Sequence, residues 1–455
     1  MTTPRIADWR PEEKPFWEAT GQHIANRNLW ISIPALLLAF SVWMVWSVIV
    51  VKLRGIGFQF TDQQEFWLAA LPGLTGATLR ILYSFMVPIF GGRNWTVLST
   101  ASLLVPAVGI GLAVQNPATP YETFVVLALL CGFGGANFAS SMANINPFFP
   151  AGMKGTALGL NAGLGNLGVS VMQFLVPIAI SIPLFGAIGG APQTIMVAGK
   201  ARDLWLQNAG WMWVPLIVAV TVAAWFGMNS LDMARASLRD QVIIFRRKHN
   251  WIMCWLYLGT FGSFIGYSAA FPRLIKSIFE GVDPLQFAFL GPLVGALARP
   301  VGGWMSDRWG GARVTFWNFL AMMAAAGGVI HFVGTREFTG FLVLFLLLFT
   351  TAGIGNASTF RMIPIIFLNQ SLRRGERTGT SEAVARRAGS LEASAILGFS
   401  SAIGAYGGFI IPIAFGNAIK AGNPGLAMAW FLAFYATCLA LTWWYYYRRN
   451  AEAPC

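Results

Sequence analysis

GATLRILYSFMVPIFGGRNWT, residues 76–96, and GALARPVGGWMSDRWGGARVT, residues 295–315, are two copies of one pattern. Without a gap, Gly76 aligns with Gly295, Ala77 with Ala296, Arg80 with Arg299, Gly91 with Gly310, Gly92 with Gly311 and Thr96 with Thr315. An internal repeat of this spacing predicts two related halves. Both copies begin inside long apolar stretches, so each half carries an arginine inside a predicted membrane-spanning helix. On insertion scales such an arginine costs about 2.5–3.5 kcal/mol at the helix centre, and a chain carrying two must gain something specific from them. Every Asp and Glu falls in a loop or at the end of a span. A small oxyanion is therefore the expected partner of Arg80 and Arg299.

The rest of the chain fits a polytopic membrane protein. It is 56% apolar and 11% charged over 455 residues, and its apolar runs reach the roughly 20 residues needed to cross about 30 Å of hydrocarbon. Twelve spans are predicted, near 30–53, 64–90, 94–114, 121–149, 154–180, 210–229, 250–272, 284–306, 313–333, 339–367, 393–419 and 424–447. The fold class expected is all-α, with twelve transmembrane helices in two pseudo-symmetric six-helix bundles, 30–229 and 250–447. Residues 1–29 form an N-terminal segment, 230–249 a linker and 448–455 a tail. Lys and Arg gather in the two end segments and alternate loops, above all Arg235, Arg239, Arg246, Arg247 and Lys248. The positive-inside rule then puts both termini in the cytoplasm. Residues 1–29 lack an apolar core, so a cleaved signal peptide is not expected.

The net charge of +13 follows from this topology and the negative membrane surface, and implies no nucleic-acid partner. Trp251, Trp255 and the run Trp443–Tyr447 read as interfacial anchors. Cys131, Cys254, Cys438 and Cys455 are scattered, and the three histidines lie away from the span centres. No metal site, disulfide framework, cofactor or catalytic set is expected. A second basic loop, with Arg373, Arg374, Arg377, Arg386 and Arg387, reads as solvated and facing the lipid surface. Gly155, Gly159 and Gly163 on the fifth span and Gly404, Gly407 and Gly408 on the eleventh suit close helix approach and sliding, though tight packing without motion explains them as well.

The motif at 302–313 resembles the loop motif of the major facilitator superfamily, with Asp307 and Arg308 read as a conformational latch. Its first-half counterpart, Ile89 to Arg93, lacks the aspartate. GFGGANFASSMANINPFFP at 132–150 and AGIGNASTFRMIP at 352–364 resemble the paired signatures of the nitrate/nitrite porter family, the bacterial NarK-type transporters. The likeness extends to Asn28–Ser32 and Tyr83–Pro88. It implies substrate-clamping arginines at Arg80 and Arg299, aromatic walls at Phe138 and Phe360, and supporting polar groups at Asn166 and Tyr257. It also implies a bacterial inner-membrane carrier, functional as a monomer, whose partners are nitrate and nitrite. Arg361 departs from some relatives; either it adds positive potential to the pathway or it pairs with a backbone carbonyl or loop acid near the inner end of the tenth helix.

The chemistry of the residues agrees with that implication. Planar guanidinium groups present paired donors that match a flat monoanion, and lysine does not. Two such cations about 8 Å apart at an effective dielectric near 20 repel by about 2 kcal/mol, which a bound anion relieves. With no acid or histidine near a span centre, exchange of nitrate for nitrite is expected over proton symport, the alternative reading.

Overall fold

The computed structural model describes residues 5–197, 199–232 and 243–455. Twelve helical rods run through the described residues: α1 Lys14–Ile56, α2 Asp62–Tyr83, α3 Gly92–Ala113, α4 Tyr121–Phe148, α5 Gly152–Ala179, α6 Asn208–Gly227, α7 Lys248–Tyr257 continued through Leu258–Gly262 and Ser263–Ile278, α8 Pro284–Trp309, α9 Gly311–Thr335, α10 Phe338–Thr378, α11 Glu382–Lys420 and α12 Gly425–Tyr447. Ten are long and apolar enough to cross a membrane. The other two are α2, where the buried Glu65 and Arg80 lower the apolarity, and α7, whose centre is rich in Gly, Ser, Thr and Tyr. Trp251, Trp255, Trp443 and Trp444 are exposed, as interfacial anchors must be.

The chain forms two compact units, Met1–Ala236 with Ser268–Phe289, and Ser237–Tyr267 with Leu290–Cys455. The basic linker residues Arg235 and Arg239 lie outside the described residues. The internal repeat is written in the backbone of both units. Gly91 has φ +82° and Gly310 φ +87°, a left-handed turn that glycine makes without a Cβ penalty. In the first unit a Cβ on Gly132 of α4 would lie 2.7 Å from the Gly76 nitrogen of α2. In the second, a Cβ on Gly353 of α10 would lie 2.0 Å from the Gly295 carbonyl oxygen of α8. The same glycine contact thus brings each signature helix onto its arginine-bearing helix.

Several elements differ from the sequence reading. The N-terminal segment is helical from Lys14, and Arg5–Ile6 (β1) pairs in parallel with Ser230–Leu231 (β4). Trp9 is buried, donates Nε1 to the Pro147 carbonyl at 3.1 Å, and joins a core with Leu29, Ile33, Phe148 and Phe149. Between α5 and α6 a hairpin forms, Gln193–Val197 (β2) against Lys200–Leu204 (β3), antiparallel. The basic segment at 373–387 is mostly helical rather than a loop, although Arg373, Arg377, Arg386 and Arg387 are exposed as expected. Helix α10 continues to Thr378 and α11 starts at Glu382, around Gly379 at φ +69°. Glu392 is the physical reason: its largely buried carboxylate takes Arg374 at 2.9 Å and Arg247 at 2.7 Å. A Cβ on Gly389 would lie 3.0 Å from the Leu368 Cα, so the two helices meet backbone to backbone.

Candidate binding site

In the first unit the site is built on α2 and α4. Helix α2 starts with a full capping box: Gln64 N donates to Thr61 Oγ1 at 3.2 Å, and Thr61 N to Gln64 Oε1 at 2.9 Å. It delivers Arg80 to a position with no solvent exposure. Arg80 donates both Nε, at 3.0 Å, and Nη2, at 2.7 Å, to the Gly135 carbonyl on α4. One turn on from Gly135, Phe138 lies on the same helix face, and the Arg80 guanidinium carbon sits 5.0 Å from its ring centroid. Cation–π contacts with desolvated rings are worth about 2 kcal/mol. Asn166 on α5 is buried, with Oδ1 lacking a hydrogen-bond partner among the described residues.

The second unit repeats the arrangement with other neighbours. Arg299 on α8 lies 5.8 Å from the centroid of Phe360 on α10, and its Nη1 is buried with no hydrogen-bond partner among the described residues. A buried donor left unpaired costs roughly 1–3 kcal/mol, more when charged. Tyr257 on α7 is fully buried, its ring 5.8 Å from Phe360 and stacked on Phe261 at 5.3 Å. It is wedged there by Gly404, whose Cβ would fall 2.8 Å from Tyr257 Cδ1. Within each unit, then, an arginine faces its signature phenylalanine.

The remaining candidates fall in different places. Asp307 takes Arg361 Nε at 2.5 Å, both side chains being exposed, so Arg361 pairs with an acid in the last turn of α8 rather than with a loop acid or a backbone carbonyl. Arg308 lies instead 5.9 Å over the ring of Trp304 and does not share that pair. Gly407 touches Gly262 of α7 backbone to backbone, with 2.3 Å left for a Cβ, and Gly408 is buried. On α5 the close approach to α1 is made by Gly165, against Leu36, and by Gly168, 2.1 Å from the Leu37 carbonyl. Around Gly155, Gly159 and Gly163 no described atom lies within 4 Å of a built Cβ. Those three bring no backbone together, because the period-four stripe faces away from α1.

Sequence reasoning missed two features. Trp43 of α1 lies against Arg80, its ring centroid 5.4 Å from the guanidinium carbon. Glu65 of α2 is fully buried and meets Arg273 Nε at 2.6 Å and Arg54 Nε at 3.3 Å. The latter pairs are close but poorly aligned, since neither Glu65 oxygen makes a well-directed hydrogen bond among the described residues. Asp62, half-exposed, also takes Arg273 and takes Arg54 at 2.5 Å.

A model of the Major Facilitator Superfamily matches residues 29–391. The chain is 52% identical over 452 residues to the nitrate/nitrite transporter NarU of Escherichia coli strain K12, covering 98% of this chain and 96% of the relative. It is 42% identical over 459 residues to the probable nitrate/nitrite antiporter NarK2 of Thermus thermophilus, covering 99% and 98%. The solved structure of a bacterial homolog of the human lysosomal transporter Spinster, inward-facing and occupied, matches with TM-score 0.62. That match covers 95% of this chain and 97% of the other at 15% identity, which speaks to fold alone. With the superfamily match spanning most of its length and such relatives end to end, this chain belongs to the nitrate/nitrite porter family of the major facilitator superfamily.

Proposed function

We propose that the chain is a nitrate/nitrite antiporter of a bacterial inner membrane, importing nitrate in exchange for nitrite by alternating access. Arg80 and Arg299 both hold the anion, and Phe138 and Phe360 flank its flat faces. Asn166 and Tyr257 support it, and the halves 30–229 and 250–447 move as bodies joined by the linker 230–249. The protein works as a monomer with both termini cytoplasmic. The observation that carries this reading is Arg299: a guanidinium over Phe360 with a buried Nη1 that has no acceptor among the described residues. A planar oxyanion is the ligand that such a donor lacks. The matching Arg80–Phe138 contact in the other unit supports a shared role. Exchange follows from charge: two cations without an anion resist closing together, and a bound monoanion lets them.

Nitrate titration of Arg80→Lys and Arg299→Lys tests the site. Loss of the bidentate fork weakens binding by about 10- to 100-fold, the worth of one or two charge-assisted hydrogen bonds. Wild-type affinity in either variant removes that arginine from the site. One observation favours proton coupling as a second reading: Glu65 is a fully buried carboxylate in α2, the kind of residue proton-driven carriers use. Abolished pH-driven uptake in Glu65→Gln, with exchange intact, is the signature of that reading.

A further inference from the structure

We infer that Trp43 is a positioning residue for nitrate recognition: it presets the plane of the Arg80 guanidinium, making the first unit the preformed half of the anion site. The inference rests on the reading of Arg80 as an anion ligand. Trp43 is fully buried, and its Nε1 donates to the Pro72 carbonyl of α2 at 2.8 Å. That bond ties the indole to the helix that carries Arg80, two turns upstream. Helical side chains lean toward the N-terminus of their own helix, so Arg80 leans back toward this indole and lies 5.4 Å from its centroid.

The place for the indole is carved by glycines on two helices. A Cβ on Gly76 would lie 2.7 Å from Trp43 Nε1, one on Gly135 2.4 Å from Cε2, and one on Gly134 3.2 Å from Trp43 Cβ. No larger residue at 76 or 135 fits without moving the ring. The glycines that open the first signature therefore serve as the seat of a tryptophan on α1. The same Gly135 supplies the carbonyl that takes Arg80 Nε and Nη2, so one residue both admits the indole and anchors the guanidinium.

Together these contacts determine the guanidinium in all respects that matter to a planar ligand. The Gly135 carbonyl fixes one edge. Trp43 and Phe138, the latter 5.0 Å away, hold it by their rings. Phe40 locks the two aromatic groups to one another, edge-to-face with Trp43 at 5.3 Å and with Phe138 at 6.2 Å. An arginine loses rotamer freedom when it is immobilised; here that loss is met before the anion arrives, the general route by which a preformed site gains affinity.

The test is a double-mutant cycle on purified protein, with nitrate affinity read by calorimetry. Trp43→Phe, which deletes the Pro72 bond and weakens the cation–π contact, is expected to raise the nitrate Kd about fivefold. The same fivefold loss is expected in the Arg299→Lys background, because that group lies in the other unit. In the Arg80→Lys background the loss shrinks below about twofold, since there is no guanidinium left to position. Equal losses in all three backgrounds, or no loss in the wild type, overturn the inference. Should Trp43→Phe fail to give monodisperse protein, Gly76→Ala takes its place, leaving Trp43 intact but displacing its ring, with the same expected and overturning results. Wild-type binding in Arg80→Lys alone is a different outcome: it refutes the anion-site reading on which the inference stands.

Discussion

Glu65→Gln isolates the charge pair that holds the segment Ser268–Phe289 in the first unit. Glu65 has no solvent exposure and Arg273 is 2% exposed, so the pair belongs to the buried class, where removing one partner costs about 3–5 kcal/mol. Two features reduce that figure. Arg273 keeps Asp62 as a partner and donates to Ser277 Oγ at 2.8 Å, and the Glu65 contact is poorly aligned. A loss of about 2–3 kcal/mol is left, equivalent to about 30- to 140-fold in an opening equilibrium. Hydrogen exchange reads that equilibrium directly. Amides of 270–278 in Glu65→Gln should exchange about 30- to 140-fold faster than in the wild type, while those of 341–349 in α10 keep their rates. Asp62→Asn serves as the internal comparison: its side chain is 45% exposed, so solvent screening limits its effect to about fivefold. Unchanged exchange at 270–278, acceleration spread evenly over both units, or equal effects of the two substitutions would each refute the reasoning.

Other outcomes follow from single contacts. Gly353→Ala puts a methyl 2.0 Å from the Gly295 carbonyl and should cost at least about 3 kcal/mol, read as lost expression and a lowered unfolding temperature. Gly159→Ala meets nothing within 4 Å and should be neutral or stabilise by about 0.5–1 kcal/mol; transport lost without loss of stability would establish the sliding role of that stripe. Docking of the tail should weaken on acidification. Lys248 hydrogen-bonded to Glu452 holds its carboxyl below the usual range against some desolvation, and burial pushes the His249 imidazole below its ordinary value despite the same Glu452. Both groups take up protons more readily when undocked, so stability is full at neutral pH. It falls first as pH drops below about 6.5 and again below about 4.5. Protection of the Ala453 amide, bonded to the Tyr445 carbonyl at 3.1 Å, reports it after correction for intrinsic exchange, and Glu452→Gln should abolish the lower step while keeping or deepening the one below about 6.5, since Glu452 opposes the effect of burial on His249.

The legible part of the molecule was what local pattern encodes. The repeat of Gly91 and Gly310 in sequence reappears as matching left-handed turns, and the arginine and phenylalanine of each half do meet. What escaped was pairing across distance or disguised by composition. Trp43 sits among apolar neighbours and reads as one more core aromatic; only the glycines that seat it, on other helices, mark it out. Glu65 lies at the edge of its span, and Arg273 one residue beyond the predicted end of the seventh, so neither looked intramembrane. Glu392 belongs to α11 but gathers arginines from α10 and the stretch before α7, which hid the helical character of 373–387 behind its charge. The glycine stripe of α5 shows the limit of such patterns: period four locates a face without naming what the face meets.

Obligatory exchange makes uptake depend on an anion inside the vesicle, which counterflow reads. Proteoliposomes loaded with nitrite, nitrate or inert buffer are given external nitrate, with and without an imposed pH gradient. Uptake that requires internal anion and ignores the gradient is the predicted result. Rapid uptake into vesicles holding only inert buffer, driven by inward proton flow, would contradict exchange and turn attention to Glu65 and Tyr257.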